Sequence, residues 1–470
     1  MNQEVTIPIA KGNRQDDFDY RDSLPVNFIG IPKDIKGDKG YLLSHDGLTE
    51  FADVSGTARG GVYNERFNKH FRVSGQSLEC IHADGTVTSL GVIPGVGVCR
   101  FAASFNSQAI VSEGRFFLYD NATLTQVTSE NLGFPISVTW FKGVYVLTDG
   151  ENIAHTNILD ETVLDTLAYS SSEFAADPIK AVARNDQNQI LAFNRYSTEF
   201  FAFNPNSPTG VSVLQVINGK AVKLGIVGTH CYAELEGSFF VLGGRRKEDP
   251  TIYVLTGSTA VQVATREVNL IINKYTETQL QDAYLESRIK DDSALLIIHL
   301  PNETLLYNHT IAKLYGIEAA WTIAKSGVEC DLPWRGKFGV YDPNAAKWIY
   351  GDIQANKLAY LDSSVASQYG EDVEQVFYTP IIPLRYVSIN LLQMDTIQGY
   401  SSDNVTCFMS ISTNGATYSK EISKTLSVPR EYKDKFEIRR VGYMRNYFSF
   451  KFRLVTAAKT AFSKLKAIYD

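Results

Sequence analysis

The 470-residue chain lacks the patterns that most often carry chemistry. It has no GxSxG elbow, no GxxxxGK phosphate loop, no HExxH and no EF-hand spacing, so the common hydrolase, nucleotide, zinc-peptidase and calcium signatures are missing. Histidine is scarce, seven residues in all, which leaves few candidates for base or metal work. The five cysteines, Cys80, Cys99, Cys231, Cys330 and Cys407, are odd in number and include no CxxC pair. They read as thiols of a protein made in a reducing cytoplasm rather than as a disulfide framework. Cys80-Ile-His82 and His230-Cys231 set soft ligands side by side, but neither has a second pair at zinc spacing. No apolar run approaches the ~20 residues of a membrane helix, and the opening residues hold no signal-peptide core. Residues 91–97 are glycine-rich, yet with a proline and no basic partner they read as a connection, not a phosphate cradle. No catalytic residue, cofactor or metal site is therefore assigned.

The charge excludes a further class. A formal net charge of −7 makes the whole chain no neutraliser of DNA, and basic segments interleaved with aromatics are missing from its middle. The balance is uneven, however. From Arg430 to Asp470 there are 11 Lys or Arg against four acids, a net of +7, so the remaining 429 residues carry −14. A basic tail on an acidic body can dock an acidic neighbouring subunit; a solvated strand face explains it equally well.

What is abundant is aromatic side chain, 26 Phe and 25 Tyr, and period-two alternation. Aromatics pack well on pleated sheets and are favoured at partner interfaces. From about residue 71 to residue 363, short apolar-alternating runs recur, separated by Gly, Asn and Asp turns such as Asp84-Gly85 and Asp149-Gly150. These are strands and hairpins. The first strand of each group begins near 71, 108, 143, 190, 239, 295 and 347. A four-stranded propeller blade takes roughly 40–50 residues, so the spacing predicts a β-propeller of about six or seven blades. A tandem of β-sandwiches is the other reading.

Four local expectations follow. Residues 1–36, with the polar stretch 11–22 and a proline-bracketed apolar strip, form an extended N-terminal arm. Residues 41–51, with Asp46-Gly47 at the middle, form a hairpin whose strand could close the ring with the last blade. Thr276-Glu-Thr-Gln279 is a capping box, which places a helix at 276–288 and a helical insertion near 266–288 within a propeller domain of 37–363. Residues 364–470 form a C-terminal β-sandwich. There 405–411 and 417–422 flank a tight turn, and Phe448, Phe450 and Phe452 alternate with Ser449, Lys451 and Arg453. Residues 461–469 fit helix or strand equally. The fold class is all-β.

Three stretches carry a family resemblance: SLPVNFIGIPKDIKG (23–37), ISTNGATYS (411–419) and RRVGYMRNYFSFKFRL (439–454). With them, over essentially its full length, the chain resembles the packaged-DNA stabilisation (tail hub) proteins of short-tailed phages infecting enteric bacteria. The resemblance implies a structural virion protein of the tail, made in the host cytoplasm and forming a hexameric ring below the portal-adaptor ring. It implies closure of the channel after packaging, and contacts with the tail needle and tailspike proteins. Double-stranded DNA would pass without sequence-specific binding or any membrane contact. No catalytic residue belongs to that family. Arg439, Arg440 and Arg445, with the arm, are the candidate subunit or partner contacts. The alternative is a propeller-type tail protein that binds or degrades a polysaccharide.

Overall fold

The computed structural model describes residues 3–7, 24–35, 38–129, 133–158, 160–208, 210–328, 332–396, 398, 404–414, 417–432 and 435–470. The polar stretch 11–22, Cys330, and Gly415-Ala416 of the 411–419 turn lie outside the described residues.

Seven antiparallel sheets form a closed wheel. Blade 1 spans 58–92, blade 2 100–127, blade 3 137–171, blade 4 179–222, blade 5 225–262 and blade 6 284–333. Blade 7 takes 336–362 and is completed by Gly47–Asp53, which pairs with Lys357–Asp362. Each blade contacts the next, and the ring closes between Gly336–Asp342 and Ala58–Asn64. An early strand supplied to the last blade locks the two ends of the wheel together by backbone bonds.

The runs that mark the blades in the sequence are their second strands, not their first. Gln108–Ser112, Val144–Thr148, Ile190–Asn194 and Ser293–His299 are buried at every position. A second strand has neighbours on both edges and blades on both faces, so its sequence is almost continuously apolar. First strands are weaker signals: Arg100–Ala103 has four residues, and Ala58–Asn64 carries Gly60 and Gly61.

The C-terminal sandwich uses both ends of the chain. One sheet has the order Phe28–Ile35, Asp38–Ser44, Ala461–Tyr469, Val387–Thr396, Lys435–Met444, with Gln3–Ile7 also paired to Ala461–Tyr469. The other is Val373–Tyr378, Ser449–Thr456, Val405–Ser412, Ile422–Ser427. Phe450, Phe452 and Leu454 point inward from the Ser449–Thr456 strand, and Phe448 packs beside them. Phe377 stacks on Phe452 at 4.9 Å, and Phe28 meets Phe377 edge-on at 5.6 Å. A residue near the N-terminus thus fills the core of the C-terminal domain.

Several expectations change here. An extended N-terminal arm can pack on its own body or reach into a neighbour; the described parts of 1–36 pack on their own body as strands of the sandwich, drawn in because Ile7 and Phe28 are core residues. Residues 41–51 are not a hairpin. Asp38–Ser44 stays in the sandwich while Gly47–Asp53 enters blade 7, and Asp46-Gly47 is the crossing between them. Gly47 is required there because a Cβ would collide with the Ser367 carbonyl and lie 2.9 Å from Val365 Cγ2. The capping box of Thr276 and Gln279 forms, but its helix is only Glu277–Leu280, preceded by Arg266–Ile272. Tyr284–Lys290 is then the first strand of blade 6, since Leu285 and Arg288 are buried in the wheel. In the sandwich, the strand after the 411–419 turn is Ile422–Ser427, later than 417–422, and 461–469 is a strand.

Candidate functional site

A propeller's axis is its usual ligand site, and here it is bridged. Arg100, on the first strand of blade 2, lays its guanidinium 4.5 Å from the Tyr232 ring of blade 5. Its Nη2 donates to the Thr229 carbonyl at 2.5 Å. Blades 2 and 5 are not neighbours in a seven-blade wheel, so this contact crosses the axis. Around it, Tyr284 of blade 6 packs on Phe338 of blade 7 at 4.7 Å, with Lys337 Nζ 5.5 Å from the Tyr284 ring. Burial drives the Tyr284 hydroxyl well above the usual tyrosine range and lowers Lys337. These groups bridge the axis by cation–π and edge contacts.

Beside the axis, blades 6, 7 and 1 share a buried polar seam. Glu286 accepts from the Gly339 amide at 2.7 Å and lies 2.9 Å from His299 Nε2. Arg288 donates to the Tyr350 hydroxyl at 3.2 Å and meets His45 Nε2 at 3.2 Å. Arg72 of blade 1 donates to the Ile349 and Phe338 carbonyls at 2.7 and 2.9 Å. Buried groups joined this way fix the angle between blades. Among the described residues no three His, Cys, Asp or Glu are placed to hold a metal ion. Cys80 and Cys231 are buried thiols, with Cys231 pushed up to about 12 by burial.

The seam continues into the joint with the sandwich. Asp46 accepts from Lys290 Nζ of blade 6 at 2.5 Å and from Lys459 Nζ of the sandwich at 2.6 Å. Glu374 of the sandwich pairs with Lys325 of blade 6 and, at 2.5 Å, with Arg453. Asn27, at φ +56°, donates to the Lys325 carbonyl at 3.1 Å and the Glu374 carbonyl at 2.7 Å, and accepts from the Lys325 amide at 2.9 Å. Its own amide donates to Ile323, and Val26 bridges both Ile323 and Val376. Residues 24–30 (LPVNFIG) are therefore the stitch between the two domains.

The three arginines singled out in the sequence are all exposed. Arg439 and Arg440 lie on Lys435–Met444, the edge strand of the larger sheet, at a bulge where Arg440 adopts φ +57°. Arg439 is 3.5 Å from Glu437. Arg445 is in the following turn, its carbonyl accepting from the Tyr386 amide at 3.3 Å. Sequence reading missed what surrounds them. Tyr386 and Tyr443 are 71% and 59% exposed, and Arg385 donates to the Tyr447 hydroxyl at 3.5 Å. An exposed tyrosine gives no period signal, so only the fold gathers this arginine and tyrosine patch.

Two family models match the chain in the same order as its two domains. Residues 5–366 match the bacteriophage P22 Gp10 β-propeller, and residues 374–469 match the bacteriophage P22 Gp10 β-sandwich. The tail hub protein gp10 of Salmonella phage P22 is 27% identical over 472 aligned positions, covering 97% of this chain and 98% of the relative. Among solved structures, virginiamycin B lyase of Staphylococcus aureus aligns at 9% identity with a TM-score of 0.42, covering 67% of this chain and 98% of that one. The N-terminal domain of Nup159 aligns at 9% identity with a TM-score of 0.41, covering 72% and 99%. Among the described residues no helix is long and apolar enough to cross a membrane. With both Gp10 domains present in order along one chain, this protein belongs to the bacteriophage P22 Gp10 family and is a structural, non-enzymatic tail-hub component of a phage virion.

Proposed function

We propose that this protein assembles as a hexameric ring below the portal-adaptor ring, closes the channel after packaging and forms part of the ejection conduit. The tail needle and tailspikes attach to that ring. In this reading the propeller domain runs from 47 to 363, and the sandwich domain (364–470) takes in the N-terminal strands Gln3–Ile7, Phe28–Ile35 and Asp38–Ser44. The observation that carries it is the full-length correspondence with the P22 tail hub relative, through both domains.

The physical features support it. Arg100 and Tyr232 bridge the propeller's own axis, so a conduit for DNA belongs between subunits rather than within one. An acidic body lets a polyanion slide past without sticking. Buried ion pairs and the Asn27 stitch hold propeller and sandwich as a rigid unit, as a channel wall requires. In a ring each subunit presents one face to a different face of the next, and Arg439, Arg440 and Arg445 belong to one such face.

The test is electron microscopy of virions lacking this protein. The expected result is capsids that lose their DNA and recover retention when purified protein is added. Capsids that keep their genome without it would overturn the reading. In parallel, purified protein should be captured by adaptor-bearing capsids and release no oligosaccharide from lipopolysaccharide.

A further inference from the structure

The wheel has a concave site that none of the above uses. Between blades 2 and 3 lies a cavity of about 460 Å³, lined by the aromatic and apolar side chains of Phe105, Trp140 and Ile158 and by Asp120, Asp160 and Glu161. Its lining includes three carboxylates and no Lys or Arg. Phe105 is 72% exposed and meets Trp140 edge-on at 6.5 Å. The nearest cation in sequence, Lys142, turns away onto the Phe141 and Phe203 rings.

The acids are held in place. Asp120 accepts from the Ala122 and Thr123 amides at 2.9 and 2.7 Å, and Asp160 from the Thr162 amide at 2.9 Å. The Thr162 hydroxyl, which also donates to Asp160 at 2.6 Å, and these amide bonds lower both carboxyls, so they stay ionised at neutral pH. Glu161 accepts from the Ser107 hydroxyl at 2.5 Å. An aromatic platform rimmed by fixed carboxylates suits a guanidinium, which can stack on a ring and bond a carboxylate at once.

The matching chemistry is on the same chain. The sandwich patch presents Arg385, Arg439, Arg440 and Arg445 among exposed Tyr386 and Tyr443; Arg439, Arg440, Tyr443 and Arg445 lie in the 430–470 segment whose net charge opposes that of the rest. The sandwich joins the wheel at blades 6 and 7, through Lys290, Lys325 and Gly47–Asp53. Blades 2 and 3 lie nearly opposite in the ring order. A patch at one side of the molecule and a complementary cavity at the other form a head-to-tail contact, which closes into a ring when the rotation allows.

We propose that the arginine and tyrosine patch of one copy docks in the acidic, aromatic cavity between blades 2 and 3 of the next. This rests on the ring reading above and names the two faces that meet. Arginine and tyrosine are the residue types that dominate interface energies, and a carboxylate-lined pocket is where arginines gain most.

The full-length protein is incubated with adaptor-bearing capsids, and ring formation is scored by electron microscopy. Three variants are compared with the parent: Asp120→Lys with Asp160→Lys, then Arg439→Glu with Arg440→Glu and Arg445→Glu, then all five together. Each single-face reversal should lower ring occupancy at least ~10-fold, and the five-fold variant should regain it because the charges again match. As a second measurement, Phe105→Cys with Tyr443→Cys should give covalently linked copies on assembled rings under mild oxidation. Normal rings from both single-face variants, with no cross-link, would overturn the proposal while leaving the ring intact. Rings that form while capture by the adaptor fails would assign the cavity to the adaptor instead and equally overturn it. No ring from the parent would overturn the ring reading itself, and this inference with it.

Discussion

The carboxylate of Asp46 lies 2.6 Å from Lys459 Nζ, and through this contact the last strand pair of the propeller is tied to the sandwich. A second lysine, Lys290 of blade 6, reaches the same carboxylate at 2.5 Å. Both lysines and the carboxylate are largely withdrawn from solvent, so neither half of the joint tolerates loss of the other. This single acid, at the residue where the chain leaves one domain for the other, holds three elements in register.

Replacing it tests the joint directly. Asp46→Asn leaves two half-buried ammonium groups facing each other without a counter-charge. A loss of about 3 kcal/mol is expected, the low end for breaking a buried pair because some solvent remains. The two lysines hold the Asp46 carboxyl far below the usual carboxylate range, so its stabilisation is complete above about pH 4 and fades as acid is added. Denaturant melts of the variant should therefore converge on the parent at the acid end. A variant as stable as the parent at pH 7 would remove Asp46 from the joint.

Buried histidines set the milder part of the acid response. Burial holds His45 down to about 3 and His70 to about 4, against about 6.5 in an unfolded chain. The unfolded state takes up these protons first, so stability falls as pH drops from 6.5 towards the folded values. Between pH 7 and pH 5 each contributes about 2 kcal/mol of loss. His45→Gln and His70→Gln should flatten that slope in guanidinium melts. An unchanged slope would mean both rings titrate normally in the folded protein.

Asn27 is expected to be the least replaceable polar residue of the stitch. Asn27→Ala strands buried carbonyls of Lys325 and Glu374 and forces alanine to φ +56°, a combined cost of about 3 kcal/mol. Asn27→Gly keeps the backbone conformation and loses only the bonds, so it should sit between the two. Equal stability of all three would show that the amide contributes nothing.

Arg100→Ala removes the bridge across the wheel. A cost of about 1–2 kcal/mol is expected from the lost stack and hydrogen bond. If the conduit runs between subunits as proposed, phage carrying it should eject DNA at the parental rate. A changed ejection rate, with normal thermal stability, would put the DNA path through the wheel.

In the sandwich core, Phe452→Ala should cost about 3–5 kcal/mol, since Phe377 stacks on that ring and Phe450 packs beside it. Calorimetry should show this loss in the sandwich transition.

The same residues show what could be read without coordinates. Alternation in Phe448–Phe452 specified a two-faced strand, and the buried second strands made each blade visible, because burial on a fixed face writes itself into local sequence. The capping box at Thr276 formed for the same reason: its two bonds lie within four residues. Helix length after it was not legible, because the wheel demanded a first strand at 284 and overrode the three- and four-residue spacing of Leu280, Ala283, Tyr284 and Ser287. Asp46-Gly47 carried the local signature of a hairpin, yet its aspartate is there for Lys290 and Lys459 and its glycine for Ser367.

The sequence by itself determined the all-β class, the repeat, the basic tail and the family. A strand from 41–51 is expected to close the ring, and Gly47–Asp53 does; only the tertiary structure decided that the blades number seven, that the N-terminal strands belong to the sandwich, and that Arg100 bridges the axis. Strand periodicity is local and survives in one dimension. Pairing partners and opposing charges lie hundreds of residues apart, and only folding brings them together.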